Sequence, residues 1–192
     1  MNRGTRDIAR AAVRAELAEA ALEVFNREGF DRSTVNDVAA AAGVSRSTFL
    51  RYFKTKEDAV LGALEAKGFE LADALRSRPA GEDEWVSLRQ SVDGFVEEFR
   101  QDADRALALA RMVRESPSLA ACRMEHQHSW QRLVAAVLAE RAGRGEASLR
   151  DGVLAAAAIA CVELAADRWT AGGGREDLPA LVDEAFAALR PN

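Results

Sequence analysis

From Ser33 to Asp58 the chain reads STVNDVAAAAGVSRSTFLRYFKTKED, and this stretch restricts the fold more than any other. Thr34-Val-Asn-Asp37 has the form of a capping box with Asp in place of Glu. It opens a helix whose Val35, Val38 and Ala39 face inward. Ala42-Gly43-Val44 closes that helix, because Gly43 enters the left-handed region without the steric cost of a Cβ. Ser45 caps the next helix, with Arg46, Ser47, Thr48, Leu50 and Arg51 in its first two turns and Phe49 and Phe53 turned to the core. Helices this short are unstable alone in water, so they need a support. Leu17, Ala21, Val24 and Phe25 fall on one face of a preceding helix that supplies it, capped by Gly29 with Phe30 folded back.

The second helix of this pair is short, N-capped, polar at its start and aromatic behind. Those are the properties of a helix laid in the major groove of duplex DNA. Arg46 and Arg51 can pair with guanine edges or phosphates, and Ser47, Thr48 and Tyr52 can donate to phosphate or meet a thymine methyl. Thr55-Lys-Glu-Asp58 repeats the capping pattern and puts Lys56 in a first helical turn, where a phosphate is favoured. The candidate DNA-contacting residues are therefore Thr34, Ser45, Arg46, Ser47, Thr48, Arg51, Tyr52 and Lys56. A leading arm with Arg3, Arg6, Arg10 and Arg14 could also reach phosphates.

The net charge of −5 argues against a protein that coats nucleic acid with its whole surface. Its distribution keeps the DNA reading: residues 1–56 carry +3 and the remainder −8. Only four prolines interrupt 192 residues, and no alternating strand pattern is present, so the chain is expected to be all-α with about nine helices. The domains expected are a helix-turn-helix head of three helices over residues 1–56 and a helical bundle over 57–192. The longest apolar run, Gly152 to Ala166, is short for a membrane span and contains Glu163. No signal peptide pattern is present, so a cytoplasmic protein without membrane contact is expected. Cys122 and Cys161 read as reduced core thiols.

Catalysis is not expected: no carboxylate pair stands with a His at ligand spacing, no glycine loop cradles phosphate, and no nucleophile sits beside a base. His126 and His128 are two apart on a helix, on nearly opposite faces, and make a poor metal pair. No metal or other cofactor is expected.

In the bundle, Leu61, Leu64, Gly68, Leu71 and Leu75 continue a long helix from Lys56 to the break at Arg78-Pro-Ala-Gly81. Trp85, Leu88, Val92, Phe95 and Phe99 repeat at 3,4 spacing as one helix, and Leu107, Ala110 and Val113 lie on the next. Ser116-Pro117 starts a helix to about Arg141, Ser148 starts an Ala-rich one, and Leu178 to Leu189 forms the last. Phe95, Phe99, Met112, Trp130, Glu163 and Trp169 are candidates to line an apolar ligand cavity. The last two helices are apolar on more than one face and need cover on both sides. A second subunit would supply it.

The run from Gly29, GFDRSTVNDVAAAAGVSRSTFLRYFKTKED, resembles the N-terminal domain of the TetR family of bacterial transcriptional regulators. It departs at Leu50, where that family more often has Tyr or Phe. The resemblance implies a homodimeric regulator, a repressor of a palindromic double-stranded DNA operator, released by a hydrophobic small-molecule effector. It also implies a four-helix dimer face from the last two helices, for which Leu154, Ala157, Ala158, Leu181, Ala185, Phe186 and Leu189 are candidates. Arg111-Met-Val-Arg-Glu-Ser-Pro117, Trp130, Arg168-Trp169 and Asp183-Glu-Ala-Phe186 resemble the C-terminal domain of TetR regulators with acyl-CoA-like ligands, implying a long, hydrophobic effector. A DNA-binding regulator with no small-molecule ligand stays open as the alternative, with a helical enzyme behind it.

Overall fold

The structure, a computed structural model, describes residues 5–189, without the side chains of residues 5–9, 11 and 62–66. Arg3 and the side chains of Arg6 and Leu64 lie outside the described residues. Ten helices and no strand make up the described residues: α1 (Thr5–Glu28), α2 (Val35–Ala41), α3 (Arg46–Tyr52), α4 (Lys56–Arg76), α5 (Glu84–Ser91), α6 (Asp93–Gln101), α7 (Ala103–Glu115), α8 (Pro117–Arg141), α9 (Leu149–Ala171) and α10 (Leu178–Ala188). The tenth arises because the helix expected over Trp85 to Phe99 is two helices, α5 and α6, broken at Val92. There the Val92 N–H turns back to the Arg89 carbonyl at 3.4 Å, a three-residue closure that ends α5. Asp93 then sits in the first turn of α6, where a carboxylate is favoured. The apolar spacing runs across the break, so periodicity alone does not report it.

Packing divides the chain into two compact units, one of residues 1–64 and 112–122, the other of residues 65–111 and 123–192. The boundary falls inside α4, and the corner between α7 and α8 joins the first unit.

In the first unit, Gly29 adopts φ +88° after α1, and its N–H bonds the Phe25 carbonyl at 2.9 Å. This turn brings the Phe30 ring edge-on to Phe25 at 4.9 Å between centroids. Phe25, Val38, Phe49 and Phe53 are buried together with Met112, Val113 and Leu119 of the α7–α8 corner. Two hydrogen bonds fix the corner: Ser116 Oγ donates to Asp31 at 3.0 Å, and Ser118 Oγ to Glu57 at 3.1 Å.

In the second unit, α9 packs chiefly on α10 and α5. The Trp85 indole lies 4.9 Å from the Phe186 ring and donates from Nε1 to the Phe186 carbonyl at 3.0 Å. Arg141 closes the end of α4 by donating to the carbonyls of Leu75 (3.1 Å), Arg78 (2.7 Å) and Pro79 (3.0 Å). Leu75 and Pro79 accept backbone N–H bonds there as well, at 3.2 and 3.3 Å, and the cation suits the negative end of the helix dipole.

The start of α9 carries a pH-dependent element. Ser148 and Asp151 form a capping box, and the fully buried Asp151 carboxylate also accepts two hydrogen bonds from Arg144, at 2.5 and 2.8 Å. The Arg144 guanidinium, with help from Ser148 and against the effect of burial, holds the Asp151 carboxyl well below its ordinary value of 3.8. A carboxyl lowered in the folded state stabilises the fold above its unfolded pKa and loses that contribution as pH falls through the folded one. Asp151→Asn is therefore expected to unfold more readily than the parent at pH 7, with the difference shrinking below about pH 4. Thermal melts at pH 7 and pH 3 measure it. An equal gap at both would refute this role.

Candidate nucleic-acid interface and effector cavity

The helix pair α2–α3 is set by its caps. Thr34 Oγ1 accepts from the Asp37 N–H at 3.3 Å, and the Asp37 carboxylate accepts from the Thr34 N–H at 2.7 Å. The Thr34 hydroxyl also donates to that carboxylate at 2.7 Å, and this bond, together with the one from the Thr34 N–H, lowers the Asp37 pKa. Gly43 takes φ +66° and turns the chain, after which Ser45 Oγ accepts from the Thr48 N–H at 3.1 Å. One face of α3 is then fixed: Phe49 is fully buried and lies 5.3 Å from the buried Phe53. The opposite face presents Arg46, Ser47 and Arg51 to solvent. The Arg51 guanidinium rests over the half-buried Tyr52 ring at 5.4 Å. The hydroxyls of Ser45, Ser47 and Thr48 form a cluster with 2.9 Å separations at the start of the helix. Of the four arm arginines, Arg14 lies over the Phe53 ring at 5.0 Å.

Lys56 has an internal task that its sequence position does not announce. Its ammonium donates to the Phe30 carbonyl at 2.7 Å and to the Ser33 carbonyl at 3.1 Å, and stands 4.3 Å over the Phe30 ring. It ties the first turn of α4 to the loop between α1 and α2.

A cavity of about 110 Å³ lies within the second unit. Its wall is mostly apolar, with Leu71, Leu88, Phe95, Trp130, Val134 and Ile159 prominent. Four charged side chains also line it: Lys67, Glu70, Glu98 and Glu163. Lys67 bridges the other two α4 and α6 carboxylates, at 2.8 Å from Glu70 and in contact with Glu98. These bonds raise the Lys67 pKa against its partial burial. Glu163 makes no hydrogen bond or ion pair among the described residues, and burial pushes its carboxyl up. The Trp130 indole fits against Gly68 of α4, where any Cβ would collide with the ring, and its buried Nε1 has no partner.

Three of the expected cavity residues, Phe95, Trp130 and Glu163, line this space; the other three do not. Phe99 packs edge-on to the buried Trp169 at 5.5 Å, so both belong to the core beside it. Met112 belongs to the first unit altogether. The charged group Lys67, Glu70 and Glu98 was not anticipated. The Lys67–Glu70 spacing is a readable helical pair, but Glu98 is 31 residues away, and nothing local connects them.

The structure places the dimer-face candidates as follows. Ala158, Leu181 and Phe186 are buried in their own unit's core, and Leu154, Ala157 and Ala185 pack against that core. Ala158 lines the cavity. Only Leu189 of the seven is exposed, at 53%. Exposed apolar side chains instead mark another face of α9: Leu149, Val153 and Leu164, at 87, 59 and 67%. Their spacing of 4 and 11 residues puts them on one stripe. Cys161 is buried, its thiol within 3.4 Å of the Ala185 carbonyl, and burial pushes its pKa up, which opposes redox reactivity. No helix among the described residues is long and apolar enough to cross a membrane.

Two family patterns match the chain, one at each end. The pattern of "Bacterial regulatory proteins, tetR family" matches residues 17–62, and that of the "MftR C-terminal domain" matches residues 82–192. The regulator TcmR of Streptomyces glaucescens is 30% identical over 68% of this chain. MftR of Mycobacterium tuberculosis is 28% identical over 66%. The matched segments span 60% of TcmR and 64% of MftR. Among solved structures, FadR of Thermus thermophilus, a TetR family transcriptional repressor in complex with lauroyl-CoA, is similar with a TM-score of 0.64 and 25% identity, covering 92% of each chain.

Proposed function

The chain belongs to the TetR family of bacterial regulatory proteins, and from this we propose that it is a homodimeric DNA-binding transcriptional repressor whose grip on a palindromic operator is released by a hydrophobic small molecule. The observation that carries the reading is α3: Arg46, Ser47 and Arg51 stand exposed on a helix anchored from behind by the buried Phe49 and Phe53. Arg46 and Arg51 read base edges or hold phosphates, with Ser47, Thr48 and Tyr52 as positioning contacts. Thr34 and Ser45 set the helix starts that aim them. Lys56, with two of its three N–H groups committed internally, adds charge next to the backbone.

One short helix makes few base contacts, so useful affinity needs two half-sites about 34–36 Å apart, and hence two subunits. Sequencing of duplexes selected by the purified protein tests this. An inverted repeat with half-sites one helical turn or a multiple apart is expected. Enrichment of a single, unrepeated site, or none, would refute the dimeric reading.

The α9 stripe of Leu149, Val153 and Leu164, with Leu189 at the end of α10, is the proposed dimer face. Leu164→Glu would bury an unpaired charge there and is expected to weaken association at least about a hundredfold, or about 3 kcal/mol. Light scattering during gel filtration should find monomer where the parent is a dimer. A dimer of unchanged strength would move the interface elsewhere.

The effector reading is supported by the apolar cavity and by the lauroyl-CoA carried by the Thermus FadR. Helix α4 starts among the residues of the first unit and lines the cavity with Lys67, Glu70 and Leu71. An occupant that favours one α4 position shifts the population of DNA-competent dimers by no more than its differential affinity. The other reading, a regulator with no small-molecule ligand, predicts that no occupant changes operator affinity.

A further inference from the structure

We propose that the cavity takes a lipophilic monocation, an ammonium joined to a compact aryl or branched alkyl group, with its positive centre against the Glu163 carboxylate. Its role as effector rests on the regulator reading above, but its binding does not.

Charge comes first. Three carboxylates and one ammonium line the space, and that ammonium, Lys67, is already held between Glu70 and Glu98. Glu163 is left without a partner. The cation that acts on it, Arg123, does not line the cavity and stands 3.8 Å from Asp167. The raised carboxyl of Glu163 is what burial without a close counter-charge produces, and a bound cation would relieve it. An anionic headgroup would meet an uncompensated carboxylate in a partly desolvated wall.

Shape and ring chemistry agree. A space of about 110 Å³ suits a group near the size of benzene, since an apolar cavity of about 150 Å³ takes benzene itself. A twelve-carbon chain has twice the carbon count of benzene. Phe95 and Trp130 line the same space, and aromatic rings attract cations.

The test is calorimetric titration of the full chain with ligands of one skeleton: 2-phenylethylammonium, 2-phenylethanol and 3-phenylpropanoate, with lauroyl-CoA alongside. The cation should bind at least about tenfold tighter than the alcohol, and the carboxylate weakest. Glu163→Gln should bring the cation to within about twofold of the alcohol while leaving the alcohol unchanged. The proposal is overturned if the alcohol or the carboxylate matches the cation, if lauroyl-CoA binds tightest, or if Glu163→Gln keeps the preference. Should that variant not fold, the ranking on the parent protein decides alone. Selected operator duplex measured in the same samples separates the two readings. Cation binding with no operator binding sinks the regulator and spares the site; operator released by lauroyl-CoA alone does the reverse.

Discussion

Arg46→Ala with Arg51→Ala is expected to abolish specific operator binding while leaving the protein folded. Both side chains are exposed, so their loss should change stability by less than about 0.5 kcal/mol. Each arginine that reads a base edge contributes about 1–3 kcal/mol, and a dimer carries four of them. The smallest sum, about 4 kcal/mol, is roughly a thousandfold in affinity. Fluorescence anisotropy with the selected duplex at two salt concentrations measures the loss and its kind. Phosphate contacts, once removed, lower the salt dependence of binding; base contacts, once removed, leave it unchanged and flatten the preference between sequences. Retention of affinity within about threefold would place the recognition surface on another element.

Trp85→Ala should be the most destabilising single change in the second unit. The side chain is 9% exposed, stacks near Phe186 and donates to that residue's carbonyl, so it pins α5 to α10. Truncation of a buried Trp costs about 3–5 kcal/mol. In a chain of this size that lowers the melting temperature by about 10 °C. Trp85→Phe separates the two contributions. It keeps a ring and loses only the donor, and the Phe186 carbonyl still accepts from the Leu189 N–H at 3.3 Å, so about 1 kcal/mol is expected. Calorimetric melts of the two variants check the order. Equal losses would mean that the hydrogen bond, and not the ring, fastens α10.

What could be read from the sequence was local. Thr34, Gly43 and Ser45 act through their own backbones and the next three residues, so their roles and the bounds of α2 and α3 follow from the chain alone. Non-local packing escaped. The periodicity of α9 and α10 showed that they are apolar on several faces but not which face the chain covers for itself. The sequence therefore does not separate Ala158, Leu181 and Phe186, which are buried within the chain, from the exposed side chains of the same helices. Met112 is a cavity candidate by its apolar character alone; its place in the first unit depends on a corner formed about 60 residues after α3. Lys56 reads from the sequence as a phosphate contact, and its internal role stays hidden because its acceptors, two backbone carbonyls, lie 26 and 23 residues back. Of the cavity, Phe95, Trp130 and Glu163 were legible by chemical type; the Lys67–Glu98 bridge across two helices was not.

The corner at residues 112–122 also limits how such a protein can be recombined. A gene fragment that ends near residue 64 would leave out Val113 and Leu119 and the hydroxyls that meet Asp31 and Glu57. Grafting this head onto another regulator's trunk therefore requires three junctions, with an eleven-residue insert carried along from the donor. Chimeras made at a single crossover should express as frayed hybrids.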